Sequence, residues 1–313
     1  MENEQPGNGN TFMMILDSMF VHPKTLKRIP IDRKKEEVFL ESDDRYKAGL
    51  IDGVPFLLPR NSSALKSSKL HEDMGSSFDY QDHYQKDAEV FNYFQEFSSR
   101  VDQEERNRLD QMILSKIPED AASILDVGCG SGWLAKAKAH GDTTVISMDI
   151  SSRNPVEALR QHPHPNHEAL IADVYHLPLE ESSIDCIVAS EIMEHVPDPA
   201  MFVEKLLFVL KPGGKLIITT PYDEQIQYHL CVHCNHPTPA HAHLHSFNEN
   251  NIIKLIPSNV QSWNWTAFSH EYLSKSRFYV LIKGLSFGGW KWIDSKANKV
   301  WRRPMRLMME VLK

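Results

Sequence analysis

ILDVGCGSG, residues 124–132, sets the reading of everything around it. Ile124, Leu125 and Val127 make an apolar run interrupted only by Asp126. Gly128, Gly130 and Gly132 follow at alternate positions, and an apolar helical run over 133–139 begins at once. Strand, glycine turn and helix in that order are how a parallel α/β sheet presents backbone N–H groups to a ligand at the carboxyl ends of its strands. Glycine permits the tight turn and lets a ligand approach the backbone where a Cβ would clash. Taken alone, the G-x-G-x-G spacing also suits a glycine-rich turn with no ligand, so the flanking sequence has to decide.

Working outward, TTVISMDIS (143–151) is a second apolar strand ending in Asp149. Such folds place an acid roughly 20 residues past the glycine turn, on a ribose hydroxyl pair. A third apolar segment, ALIADV, ends at Asp173 and Val174, and a fourth, SIDCIVASEIMEHV, runs from 183 to 196. Residues 200–210 have helical apolar spacing, Lys211-Pro212-Gly213-Gly214 breaks it, and 215–220 is a fifth strand. Alternating strands and helices with short connections imply a parallel sheet covered on both faces. Residues 260–268 suit a sixth strand and 278–282 a seventh.

This order of motifs resembles the class I methyltransferases that use S-adenosylmethionine, in particular their type 11, quinone-biosynthesis-like group. The resemblance is carried by ILDVGCGSG, Asp149, Asp173, EIMEHVPDP and VLKPGGKLIITTP, over about 100 residues. It implies a seven-stranded, mostly parallel Rossmann-like α/β sheet with helices on both faces, and S-adenosylmethionine as cofactor. Carried over by position, Asp126, Gly128, Cys129 and Gly130 hold the amino-acid end of the cofactor. Asp149 with Ile150 holds the ribose, Asp173 with Val174 faces the adenine, and Ser190 and Glu191 stand beside the methyl group. In similar enzymes a segment before the first strand closes over the cofactor, and a tyrosine hydroxyl reaches its carboxylate; Tyr80 and Tyr84 are the candidates. His195 and Glu194, just past strand four, are the candidate catalytic groups, His195 as base or as a group that positions the acceptor. The other reading of His195 is a residue that merely orients Glu191.

Two other classes compete. A nicotinamide-dependent dehydrogenase also places an acid near Asp149, but Asp126, Asp173-Val174 and the Lys-Pro-Gly-Gly run speak against it. A non-catalytic binding or scaffold module would draw on the amino-terminal unit and the basic carboxyl end.

The 313 residues exceed one ordinary core and suit a catalytic domain with attachments. The hydrophobic fraction of 41% and charged fraction of 24% read as a soluble globular chain. The polar, acidic start is not a secretory signal, and four cysteines, two of them at predicted strands, do not make a disulfide framework. Together these point to a cytoplasmic protein. The net charge of −8 argues against general nucleic-acid binding.

The expected organisation is a disordered start over 1–16, a small β-rich unit over 17–60, a Ser/Lys-rich linker over 61–77, a methyltransferase domain over 78–285 and a basic aromatic tail over 286–313. In the β-rich unit, residues 38–41 and 54–58 are strand-like and Asp52-Gly53 is a turn dipeptide. The unit resembles the small zinc-ribbon-like proteins that activate tRNA and protein methyltransferases. His22-Pro23 stands where that family has Cys-Pro, which implies a version without metal. Val90, Phe91, Phe94 and Phe97 recur at helical spacing and are expected to bury against the sheet.

An insert over 229–247 gathers six of the 16 histidines and two of the four cysteines. Cys231 and Cys234 form a C-x-x-C knuckle, and Cys₂His₂ is a common closed zinc arrangement. His243 and His245 match best the insert of some type 11 methyltransferases, with His241 able to replace either. One structural zinc, a histidine-rich loop lining the substrate cleft, and a catalytic metal all stay open here. In the tail, Trp290, Trp292 and Trp301 alternate with lysines and arginines. That suits a membrane surface or an acidic partner, or docking on the acidic body of the same chain. The acceptor is expected to be a small or lipid-linked molecule, with no specific nucleic acid.

Overall fold

The computed structural model describes residues 14–40, 45–60, 79–95, 97–232, 235–275 and 282–313. One mixed sheet of nine strands organises them: β1 (Tyr46–Ile51), β2 (Val54–Pro59), β3 (Ser123–Val127), β4 (Thr144–Asp149), β5 (His167–Ala172), β6 (Ile184–Ser190), β7 (Leu210–Pro221), β8 (Ser262–His270) and β9 (Pro304–Leu312). Their order across the sheet is β8-β9-β7-β6-β3-β4-β5-β2-β1. From β3 the chain runs outward through β4 and β5, then returns to β6 on the other flank of β3. The carboxyl end of β3 is thus the switch point where an open α/β sheet leaves a crevice for a ligand.

The inner strands read as continuous apolar runs because both faces are covered. Leu125, Ile187 and Leu206 meet on one side, with α6 (Pro199–Val209); Ile124, Val188 and Leu134 meet on the other, with α3 (Arg100–Leu114) and α4 (Trp133–Lys138). Each such fully buried aliphatic side chain contributes about 1.5–3 kcal/mol relative to an exposed one. In EIMEHVPDP, Asp198 caps α6 by accepting from the N–H groups of Ala200 and Met201, and Pro199 takes a position whose missing N–H costs nothing.

Several expectations change. The strand count is nine rather than seven, because the amino-terminal hairpin joins the sheet edge through parallel pairing of Phe56 with Ile171 and Leu57 with Ala172. Asp52 and Gly53 both have positive φ, 48° and 79°, as a two-residue turn of that hairpin demands. Such a turn fixes 46–51 as the partner of 54–59. Val38 instead pairs with Ile31 in a short separate ladder. Residues 14–16 are not a loose start: α1 (Ile15–Met19) is anchored by the Glu168 carboxylate, which accepts from the N–H groups of Ile15 and Leu16 at 2.8 Å each. Residues 1–13 and the linker lie outside the described residues.

The tail is also corrected. Most of the proposed seventh strand, 278–282, lies outside the described residues, and the strand that completes the sheet is β9, antiparallel between β7 and β8. Pro304 opens this strand. Trp290, on α7 (Phe287–Val300), is buried beneath the Arg108 guanidinium. Arg302, Arg303 and Arg306 pair with Glu249, Glu271 and Glu105 at 2.6, 3.3 and 2.9 Å. These three arginines therefore dock on the body of the same chain. No helix among the described residues is long and apolar enough to cross a membrane.

One buried histidine gives the fold an acid limit. His167 holds Ser147 Oγ with Nε2 at 2.9 Å and the His162 carbonyl with Nδ1 at 2.8 Å, and burial pushes its imidazole below the ordinary value. An unfolded histidine titrates near about pH 6.5. Below that pH the unfolded chain takes up a proton the folded one refuses, so this contribution is complete above pH 6.5 and is lost as pH falls toward the folded value. His167→Gln is expected to flatten the fall in thermal midpoint between pH 7 and 5, by up to about 1.4 kcal/mol per pH unit of unfolding free energy. An unchanged slope in that variant would remove His167 as the cause.

Candidate active site

An open cleft of about 2360 Å³ lies at the carboxyl ends of β3 to β6. Gly128, Cys129 and Gly130 line it after β3, Asp149 and Ile150 after β4, Asp173 and Val174 after β5, and Ser190 and Glu191 after β6. Tyr80 and Tyr84 reach it from α2 (Tyr80–Val90), and Glu194 and His195 from the turn beyond β6. Residues more than 100 positions apart in sequence are thus collected on one surface by strand order alone.

Local geometry explains the glycines. Gly128 has φ +70°, and an added Cβ would stand 2.1 Å from Ile192 Cδ1. Gly130 has φ +49°, and its nearest neighbour to such a Cβ is the Tyr93 ring at 4.0 Å, so the space above it belongs to the cleft. Asp149 is held ready: Oδ1 accepts the Ser151 N–H at 2.9 Å and Oδ2 the Asn154 amide at 3.0 Å. Burial raises its carboxyl, and these bonds oppose the rise.

Asp126 is buried within β3 and is not among the residues that line the cleft; its Oδ2 has no hydrogen-bond partner. Burial, opposed by the Arg106 charge, pushes its carboxyl up to about 7. Alternation explains this, because Asp126 shares the face of Ile124 while the cleft opens beyond the strand end. The Tyr80 hydroxyl donates to Asp173 Oδ2 at 2.5 Å, while Asp173 Oδ1 accepts the Tyr175 N–H at 2.9 Å. Tyr80 therefore holds the Asp173 carboxylate in place. Tyr84 donates to the His195 carbonyl at 3.3 Å. The phenylalanines after α2 do not bury against the sheet. The helix stops at Val90, Phe91 is 61% exposed, and Phe91, Tyr93 and Phe97 line the cleft mouth.

The far side of the cleft is dense in charge. Glu191 adopts φ +58°, a strained conformation for a residue with a side chain, of the kind that persists where surroundings enforce it. Its carboxylate meets Arg306 Nε at 3.3 Å. Glu194 is 1% exposed, and burial followed by the nearby Glu191 charge drives its carboxyl well above the usual range. Burial and then His243 hold the His195 imidazole down at about 4. Its ring lies 4.7 Å from that of His243, and His243 Nδ1 bonds Glu224 Oε2 at 2.5 Å.

Of the proposed Cys/His set, the two histidines face different neighbours. His243 enters the cleft wall, whereas His245 Nε2 bonds the Val196 carbonyl at 3.0 Å. Cys231 is half-buried and Cys234 lies outside the described residues. Sequence reasoning missed Arg306, Glu224 and Tyr93 as cleft residues. The Met-rich run 305–312 was the available signal for a strand that carries Arg306 inward.

A family model described as a methyltransferase domain matches residues 87–256, more than half of the chain. The chain belongs to that methyltransferase family. The methyltransferase domain is 35% identical over 120 residues to a ubiquinone biosynthesis O-methyltransferase of Xylella fastidiosa, covering 36% of this chain and 47% of that protein. It is 34% identical over 107 residues to the protein of that name from Actinobacillus pleuropneumoniae, covering 31% and 44%. The chain thus spans less than half the length of these curated relatives. A solved S-adenosylmethionine-dependent methyltransferase from Mesorhizobium loti covers 66% of this chain and 98% of its own, at 17% identity and a TM-score of 0.46.

The family implies S-adenosylmethionine, and the residues fit it. The backbone at Gly130 is open to the cleft where a Cβ would intrude, and the Asp149 carboxylate is oriented beside it by two donors. Both line the same cavity as Asp173 and Glu191.

Proposed function

We propose that this chain transfers a methyl group from S-adenosylmethionine to a small-molecule or lipid-linked acceptor. The observation that carries the reading is the continuity of one cleft from the glycine turn and Asp149 to Glu191, Glu194 and His195. When bound, the cofactor supplies a methyl group on a positively charged sulfur, a good leaving group. The protein's task is then to orient the acceptor at a near-attack distance of roughly 3–3.5 Å. Asp149 holds the ribose hydroxyls, Gly128, Cys129 and Gly130 give the amino-acid end close backbone contact, and Asp173, fixed by Tyr80, stands at the base. Glu194 and His195 handle the acceptor, on the side where Glu191 and Arg306 fix the charge. Exposed Phe91, Tyr93 and Phe97 at the mouth support an apolar or aromatic acceptor. The relatives named for O-methylation in ubiquinone biosynthesis support an oxygen nucleophile.

The test is uptake of labelled methyl groups from S-adenosylmethionine into a cell extract. Label is expected in the fraction soluble in organic solvent, and label only in protein or RNA would overturn the acceptor class. With the acceptor in hand, His195→Ala is expected to lower turnover by about 100-fold while leaving cofactor affinity unchanged. Normal turnover in that variant would remove His195 from acceptor handling.

A further inference from the structure

Three potential ligand atoms, from Glu194, His195 and His243, lie within 4.8 Å of one another. They form a side-chain group able to hold a metal ion among the described residues. Bonds of about 2.0–2.2 Å to a common ion put ligand atoms roughly 3–4 Å apart, so small side-chain rotations would close the set. We propose that this group binds one divalent first-row transition-metal ion on the acceptor side of the cleft, with open coordination positions for an acceptor oxygen. Only the word acceptor rests on the methyl-transfer reading; the metal site itself does not.

Three independent features support it. First, both imidazoles have Nδ1 engaged, which leaves Nε2 for an ion. His243 Nδ1 is engaged by the Glu224 carboxylate and His195 Nδ1 faces the Ala242 carbonyl at 3.4 Å. An acceptor on Nδ1 selects the tautomer with the proton there and leaves Nε2 as the lone-pair atom, the arrangement that accompanies metal-bound histidine. Second, Glu194 is buried yet its Oε2 has no hydrogen-bond partner, and Glu191 Oε1 nearby is in the same condition. A buried polar atom left unpaired is costly and calls for a partner. Third, charge is unbalanced: Arg306 is already shared by Glu105 at 2.9 Å and Glu191 at 3.3 Å, and Glu224 adds a further carboxylate against His243. A divalent cation offsets that excess. Two imidazoles with a carboxylate suit manganese, iron, cobalt or zinc better than magnesium or calcium, which prefer all-oxygen shells.

The experiment titrates Mn²⁺ and Co²⁺ into the full chain after removal of metal with a chelator, following Mn²⁺ by paramagnetic resonance and Co²⁺ by absorption. Affinity for S-adenosylhomocysteine is measured on the same samples. One equivalent is expected to bind, with a Co²⁺ spectrum lacking a thiolate charge-transfer band. His243→Ala is expected to weaken binding at least 100-fold. Glu224→Gln, which keeps the size of the side chain and serves where His243→Ala does not fold, is expected to weaken it about tenfold. Absence of stoichiometric binding overturns the site, as does binding that survives His243→Ala and is lost in Cys231→Ser with Cys234→Ser. The two readings separate cleanly. Metal binding without S-adenosylhomocysteine binding keeps the metal site and removes the methyltransferase; the reverse result removes the metal site alone.

Discussion

Replacing Asp149 with alanine is expected to weaken the binding of S-adenosylmethionine and of its demethylated product by about 100-fold, roughly 3 kcal/mol. Hydrogen bonds to a charged group are worth about 1.5–3 kcal/mol each, and a ribose offers this carboxylate two hydroxyls. The carboxylate is already aimed. Ser151 and Asn154 hold one oxygen each, so little ordering remains to be done on binding. Asp149→Asn keeps the shape and removes the charge, and a loss of about tenfold is expected. Calorimetry on both variants decides: an alanine variant with unchanged affinity would place the ribose elsewhere.

Gly128→Ala is expected to damage both the fold and the site. Left-handed backbone costs a residue with a Cβ about 1–2 kcal/mol, and the new methyl group would arrive 2.1 Å from Ile192 Cδ1. Ile192 follows Glu191 directly, so relieving the clash disturbs the acceptor side as well. A fall in thermal midpoint of about 4 °C and at least tenfold weaker cofactor binding are expected. Gly130→Ala is the contrast. Its Cβ would meet only Tyr93 at 4.0 Å, so the thermal midpoint should move less while cofactor affinity falls. Equal effects of the two substitutions on stability would contradict this division of roles.

The core of the fold was legible because its signals are local. A strand, a glycine turn and a helix sit within 16 residues, and the acids at 149 and 173 end apolar runs of strand length. What escaped was set by distant partners. The run from 304 reads as cations, methionines and a proline. Only the open place between β7 and β8, formed by residues up to 97 positions earlier in the chain, makes it an inner strand. Arg306 in the cleft was hidden for the same reason. The burial of Asp126 was hidden because a resemblance carries over a role while the pleat decides which face a side chain takes. His243 and His245 looked equivalent two positions apart, yet one packs against His195 and the other bonds Val196. The phenylalanines after Tyr84 had helical spacing, but the backbone leaves the helix at Val90 and delivers Phe91 and Phe97 to the cleft mouth.

The function proposed for this cleft depends on adenosine and a charged sulfur sharing it. Calorimetric titration of the unaltered full chain with S-adenosylhomocysteine, beside NAD as a control, addresses that directly. One molecule bound per chain in the micromolar range, no heat with NAD, and loss on Asp149→Ala are expected. Saturation by NAD with no response to the sulfur compound at millimolar concentration would contradict it.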